Sequence, residues 1–216
     1  MKELYFGAAY YPEVWDESEI DKDIAKMHEA GLNCMRIAEF AWSSMEPQEG
    51  VFTLDWLVRV VDKLYAAGIY TVLCTPSATP PKWLTDKYPE TLQVLDNGRA
   101  RQFGGRCHIC KTSEVMREKN RSIVTEMCKA LGKHPGVVGW QIDNEVYTYD
   151  NGCFCPKCRK KFTEWLEKKY KTVDALNAAW KTARWSLRYD SFADVIPPRS
   201  DTWNHPSLLV EWIRFQ

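Results

Sequence analysis

Apolar residues recur along this chain in two alternating rhythms. Largely apolar runs cover residues 4–11, 33–38, 69–73 and 137–145, the last ending in the polar Asp143-Asn144-Glu145. Between them lie stripes at helical spacing. These are Ile20, Ile24 and Met27; then Leu54, Leu57, Val58, Val61 and Leu64; then Val115, Met116, Ile123, Met127 and Leu131. Gly31 closes the first stripe at the position where a helix ends in a left-handed turn, and Gly68 and Gly132 end the other two. A short apolar run with no polar alternation predicts a strand covered on both faces, as in a parallel sheet. Strand and helix alternating in this way predict an α/β fold.

The interruptions are informative too. Trp42, Pro47 and Gly50 mark a loop. The pair Pro80-Pro81 precedes a short helix through Trp83 and Leu84, with proline in its first turn. Residues 90–110 form a long irregular segment containing the turn signal Asp96-Asn97-Gly98. A loop of that length in a compact domain is usually functional or disordered. Ser113 is positioned to cap the third helix. Beyond Cys158 the pattern is helical, with Phe162, Trp165 and Leu166, then Val173, Leu176 and Trp180. Pro197-Pro198 breaks it, and residues 208–213 read as an unfinished helix, which suggests truncation. A complete eightfold barrel takes about 250 residues. Residues 1–216 are therefore expected to form the N-terminal portion, about the first half, of a (β/α)8 TIM-barrel domain, with a cysteine segment at 107–158. No internal repeat is visible.

Composition narrows the function classes. Lys+Arg and Asp+Glu are 29 each, so no charge excess invites nucleic acid or an anionic membrane. No run approaches a membrane span and the first residues lack a signal-peptide core, which points to a cytoplasmic protein. Ten Trp and ten Tyr are a surplus that suits stacking against flat apolar faces such as sugar rings.

Eight cysteines without a secretory signal indicate metal binding or buried free thiols. Cys153, Cys155 and Cys158 have the form Cys-x-Cys-x-x-Cys, and three thiols so close can converge on one Zn²⁺ in a closed structural site. The fourth ligand is Cys110 or Cys107, with His108 as a weaker candidate. Cys34, Cys74 and Cys128 fall in apolar patterns and read as small core residues.

Polar groups stand where the strand-like runs end: Glu39 after the second, Thr75 and Thr79 after the third, Asn144 and Glu145 in the fourth. Strand ends of a parallel barrel share one face, so these groups are expected to line one pocket. An Asn beside a Glu fits carbohydrate chemistry. The amide can grip a sugar hydroxyl while the carboxylic acid protonates a leaving oxygen.

Five motifs carry a resemblance. They are Tyr10-Tyr11-Pro12-Glu13-Val14-Trp15, Arg36-Ile37-Ala38-Glu39-Phe40-Ala41-Trp42, Thr75-Pro76-Ser77-Ala78-Thr79-Pro80-Pro81, Phe103-Gly104-Gly105-Arg106 and Gly139-Trp140-Gln141-Ile142-Asp143-Asn144-Glu145. With the cysteine segment and Trp185-Ser186, they make the chain resemble the N-terminal catalytic domain of glycoside hydrolase family 42 β-galactosidases along essentially its whole length. The resemblance implies retaining hydrolysis of terminal β-D-galactose from a galactoside substrate, with Glu145 as general acid/base in a partly buried site. It implies that Arg106 and Asn144 bind galactose and that Trp185 helps wall the pocket. It implies Cys110, Cys153, Cys155 and Cys158 as ligands of a structural zinc, so the fourth ligand becomes Cys110. It implies that the nucleophile is a second Glu beyond residue 216, while Glu39 itself reads as a pocket-floor or ion-pair residue with Arg36 as partner. Trp42 and Trp140 read as packing. Family members often form trimers. The competing expectation is a catalytically incomplete fragment that binds sugar or a partner without turnover.

Overall fold

A computed structural model describes residues 4–145 and 152–216. The expected cysteine segment therefore runs through residues 146–151, which lie outside the described residues. The chain divides into two compact units. Of the described residues, the first holds 4–89, 103–107 and 117–145, and the second holds 90–102, 108–116 and 152–216.

The first unit is built on four parallel strands: β1 (Gly7–Ala9), β2 (Cys34–Ile37), β3 (Tyr70–Cys74) and β4 (Val137–Gln141), hydrogen-bonded in sequence order. Helix α1 (Ile20–Glu29) lies between β1 and β2 in the chain. Between β2 and β3 come the short α2 (Trp42–Met45) and α3 (Asp55–Ala66). Helices α4 (Lys82–Lys87) and α5 (Glu114–Leu131) follow β3. The stripe on α3 is buried at Leu57, Val60, Val61 and Leu64, as an amphipathic helix on a sheet requires. Gly31 and Gly68 take positive φ (70° and 74°). Each lets the following residue bond back to the last turn, Leu32 N to Met27 O at 2.9 Å and Ile69 N to Leu64 O at 2.8 Å. Ser113 accepts from Met116 N at the start of α5. Trp42 is fully buried, consistent with packing.

The structure corrects four expectations. The first strand is three residues long rather than eight, and beyond it Pro12, which has no N–H, opens a 3₁₀ turn at Pro12–Val14. The segment 42–50 contains α2, which the loop signals hid. The fourth strand is not covered on both faces. It is an edge of the described sheet, and its residues are half-buried or exposed. Cys128 is exposed on α5 rather than in the core, whereas Cys34 and Cys74 are buried as expected. Burial, and after it the Glu39 charge, pushes the Cys74 thiol up to about 12, so it stays protonated and behaves as a small apolar residue.

The second unit is helical. It contains α6 (Pro156–Tyr170), α7 (Val173–Trp180) and α8 (Pro206–Phe215). Their apolar faces form one core of Phe162, Leu166, Leu176, Trp180, Val195, Leu208 and Trp212. Glu211 is buried beside that core. It is held by Lys169 at 2.6 and 2.7 Å, by the Tyr170 hydroxyl at 3.0 Å and by Arg214 at 3.2 Å, so the buried charge is paired. The irregular segment after residue 90 is tied by isolated antiparallel bridges, Leu92 to Ile109 and Val94 to Ala100, around the expected turn.

Candidate active site and thiol cluster

The C-terminal ends of β2 and β4 converge on a network of side chains. Glu39 follows β2 and is 2% exposed. Its carboxylate accepts from four side chains. Tyr11 Oη (3.0 Å) and Arg36 Nη2 (2.9 Å) donate to Oε2. Gln141 Nε2 donates to Oε1 at 3.0 Å. Asn144 donates its amide nitrogen to the same oxygen at 2.5 Å, while its amide oxygen accepts from Arg106 Nη1 at 2.9 Å. That amide orientation is assigned from the partners, because the reverse would aim a carbonyl at a carboxylate and an amide nitrogen at a guanidinium. Gln141 is held in turn, its Oε1 accepting from Arg36 Nη1 at 2.7 Å. Burial first, and then the bond to Glu39, push the Tyr11 phenol above its ordinary range.

The end of β4 is anchored on the end of β3. Asp143 N donates to Thr75 Oγ1 at 2.7 Å, and Asp143 Oδ1 accepts from Ser77 Oγ and from Asn144 N, each at 2.9 Å. Asp143 and Glu145 both sit at positive φ (58° and 45°), as does Ala38 (69°) just before Glu39. Left-handed backbone at non-glycine residues costs about 1–3 kcal/mol each, persists only where surroundings enforce it, and concentrates at functional sites. Here the strand ends are bent so that Glu145 reaches Arg106, with Nη2 to Oε2 at 2.9 Å. Arg106 arrives on a turn in which Gly104 and Gly105 take positive φ (139° and 62°). Cys107 N pins that turn to Ala78 O at 2.8 Å. Its guanidinium lies 5.9 Å from the centre of the Phe40 ring, which stacks on Tyr11 at 5.8 Å.

These residues line an open depression of about 450 Å³. Of the expected site residues, Glu145, Asn144, Arg106 and Glu39 come together here. Thr75 buttresses the strand end, and Thr79 does not line the depression. Among the described residues Glu145 is 57% exposed. Trp185 belongs to the second unit. There it is 61% exposed at φ 60°, with Trp203 at 4.5 Å and Arg184 at 5.2 Å from its ring. Sequence reasoning missed Tyr11, Phe40 and Gln141 as site residues. Gln141 carried a signal, since it is the first polar residue of an otherwise apolar run.

The second unit holds the thiol cluster. The sulfurs of Cys110, Cys153, Cys155 and Cys158 all lie within 4.8 Å of one another, and all four residues are buried. Cys110 Sγ is 3.7 Å from Cys155 Sγ and 3.5 Å from Cys158 Sγ. A tetrahedron with metal–sulfur bonds of about 2.3 Å has sulfur–sulfur edges of about 3.8 Å, so the residues fit such an ion. Cys155 caps α6 and accepts from Cys158 N at 3.4 Å, while Cys153 Sγ accepts from Val94 N at 3.4 Å. Hydrogen bonding within the cluster lowers the Cys110 thiol, chiefly through Cys153, and raises the Cys158 thiol, chiefly through Cys110. Cys107 lies in the first unit and His108 is outside the cluster.

Comparison with known proteins bears on both constellations. A glycoside hydrolase 42 family model, described as β-galactosidase, matches residues 9–216. A β-galactosidase of Thermus thermophilus is 47% identical over 97% of this chain and 33% of its own length. The structure of a β-galactosidase from Halorubrum lacusprofundi superposes with a TM-score of 0.93 at 39% identity, covering 98% of this chain and 32% of that one. That of a β-galactosidase from Rahnella sp. R3 gives 0.95 at 36% identity, over 100% and 32%. The chain thus spans about a third of the length of the curated relatives it matches. Its four parallel strands, in sequential order with helices between them, are part of a (β/α)8 barrel.

Proposed function

The chain belongs to the glycoside hydrolase 42 family of β-galactosidases, and on that premise we propose that the protein carrying it releases terminal non-reducing β-D-galactose from β-galactosides by a retaining double displacement. Glu145 is the general acid/base. It protonates the glycosidic oxygen as the bond to the sugar breaks, then takes a proton from the water that releases galactose. Arg106 and Asn144 bind sugar hydroxyls in the same depression. The observation that carries this reading is their convergence: a carboxylate at a strand end, 2.9 Å from a guanidinium that also holds the neighbouring amide.

Retention needs a second carboxylate about 5–5.5 Å from the first. Glu39 does not serve, because its two oxygens already accept four hydrogen bonds and it is buried. The family resemblance implies instead a second Glu beyond residue 216 as the nucleophile. The same observation favours a second reading for the chain taken alone, which is sugar binding without turnover. The four thiolates hold one Zn²⁺ that ties the second unit together. Four thiolates leave no open coordination position, so the ion takes no part in hydrolysis.

Glu145→Gln in the complete polypeptide tests the reading. Turnover of lactose, whose leaving group needs a proton, should fall by about 10²–10⁴. Cleavage of a dinitrophenyl galactoside, whose leaving group does not, should lose far less in its first step. Unchanged turnover of lactose would contradict the assignment.

A further inference from the structure

Resting on the galactosidase reading, we propose that Glu39 is a positioning residue that fixes the amide of Asn144, and through it the guanidinium of Arg106, in the orientation that receives the sugar. An asparagine amide can face either way, and the two faces offer a sugar hydroxyl opposite hydrogen-bonding character. Glu39 decides the question here. Its Oε1 has only acceptor capacity and lies 2.5 Å from the Asn144 amide nitrogen. The amide oxygen is then turned to Arg106 Nη1 at 2.9 Å, and Arg106 Nη2 reaches Glu145 at 2.9 Å. One buried carboxylate thus sets the order donor, acceptor, donor, acceptor from Asn144 through Arg106 to Glu145.

Glu39 itself has little freedom. Arg36 binds both Glu39 Oε2 and Gln141 Oε1, so Gln141 cannot turn its amide without facing the guanidinium with its nitrogen. Tyr11 closes the other side. An amide at position 39 would present nitrogen to one pair of donors, either Tyr11 and Arg36 or Gln141 and Asn144. Of these four only the Tyr11 hydroxyl and the Asn144 amide can turn to accept. Arg36 has no acceptor and Gln141 is locked, so the conflict spreads to Asn144 and on to Arg106.

The experiment is a double-mutant cycle in the complete polypeptide, with Glu39→Gln, Asn144→Ala and their combination, read on a nitrophenyl β-galactoside and by galactose inhibition. Unsubstituted activity tests the galactosidase reading, and non-additivity among the variants tests this inference. Glu39→Gln should lower kcat/KM by about ten- to a hundredfold, the range of one buried unsatisfied donor, and weaken galactose inhibition. In the Asn144→Ala background the same change should cost under about threefold. Thermal midpoints should fall on Glu39→Gln in both backgrounds, since folding contacts to Tyr11, Arg36 and Gln141 are lost in each. Losses that multiply in the double variant would overturn the proposal, as would an unchanged kcat/KM in Glu39→Gln. If Glu39→Gln does not fold, Glu39→Asp replaces it. That change keeps the charge beside Arg36 and withdraws the oxygen from Asn144, and the same non-additivity is required.

Discussion

Removing Cys110 isolates what the proposed zinc contributes. Cys153 lies 43 positions after Cys110, and a metal joining their sulfurs closes that loop. In the chain-entropy account, a cross-link over a loop of this length stabilises the folded state by about 4 kcal/mol. Backbone bonds hold Cys110 as well, its N–H donating to Thr91 O at 2.7 Å. The unit also has its own aromatic core. Loss of the tether should therefore weaken the second unit rather than abolish helical structure. Cys110→Ala is expected to purify with little zinc and to unfold in urea with about 4 kcal/mol less stability. A chelator should bring the unsubstituted protein toward the same midpoint. Cys107→Ala, outside the cluster, should retain one zinc per chain. Metal content by native mass spectrometry and four sulfurs at about 2.3 Å by X-ray absorption are the direct readouts. A folded protein that holds no metal, or a Cys110→Ala variant that keeps a full equivalent, would refute the reasoning.

Two other outcomes follow from the packing and charge. Lys119 above all, then Lys87 and Tyr88, hold the Glu49 carboxyl down at about 2. A folded pKa below the unfolded one gives stability that is present above the unfolded value of about 4.3 and lost as pH falls through 2. Acid unfolding curves of Glu49→Gln should thus lose part of their pH dependence in that window, and an unaltered curve would show the ion pairs to be idle. Phe162→Ala deletes a fully buried ring that meets Trp212 edge-on at 5.0 Å. It should cost about 3–5 kcal/mol in urea unfolding, and a loss under 1 kcal/mol would mean that the core collapses around the gap.

The strand positions were legible because apolar runs and helical stripes differ in period, and each strand core falls inside its run. Their burial was not, since a sequence does not say how far each strand of the described sheet is covered. The run 137–145 therefore looked doubly covered, while Ile142 and Glu145 are exposed. Cys128 was misread for a related reason. It falls beside the buried Met127 on α5, and one residue's step around a helix turns a side chain by about 100°. Glu145 and Asn144 could be proposed from their place at a strand end. Arg106 could not, because it comes from a loop and only the resemblance singled it out. The role of Glu39 was hidden altogether. It depends on which way two amides face, and that is settled only when Arg36, Gln141, Asn144 and Arg106 meet.

The central claim is that Glu145 is the acid/base of a retaining galactosidase. Azide rescue of Glu145→Ala in the complete polypeptide tests it most directly. With a dinitrophenyl galactoside as donor, azide should restore turnover and the product should be the β-galactosyl azide, formed by attack on the glycosyl-enzyme in the space left by Glu145. The α-azide would make Glu145 the nucleophile instead, and no rescue with turnover unchanged would remove it from the mechanism.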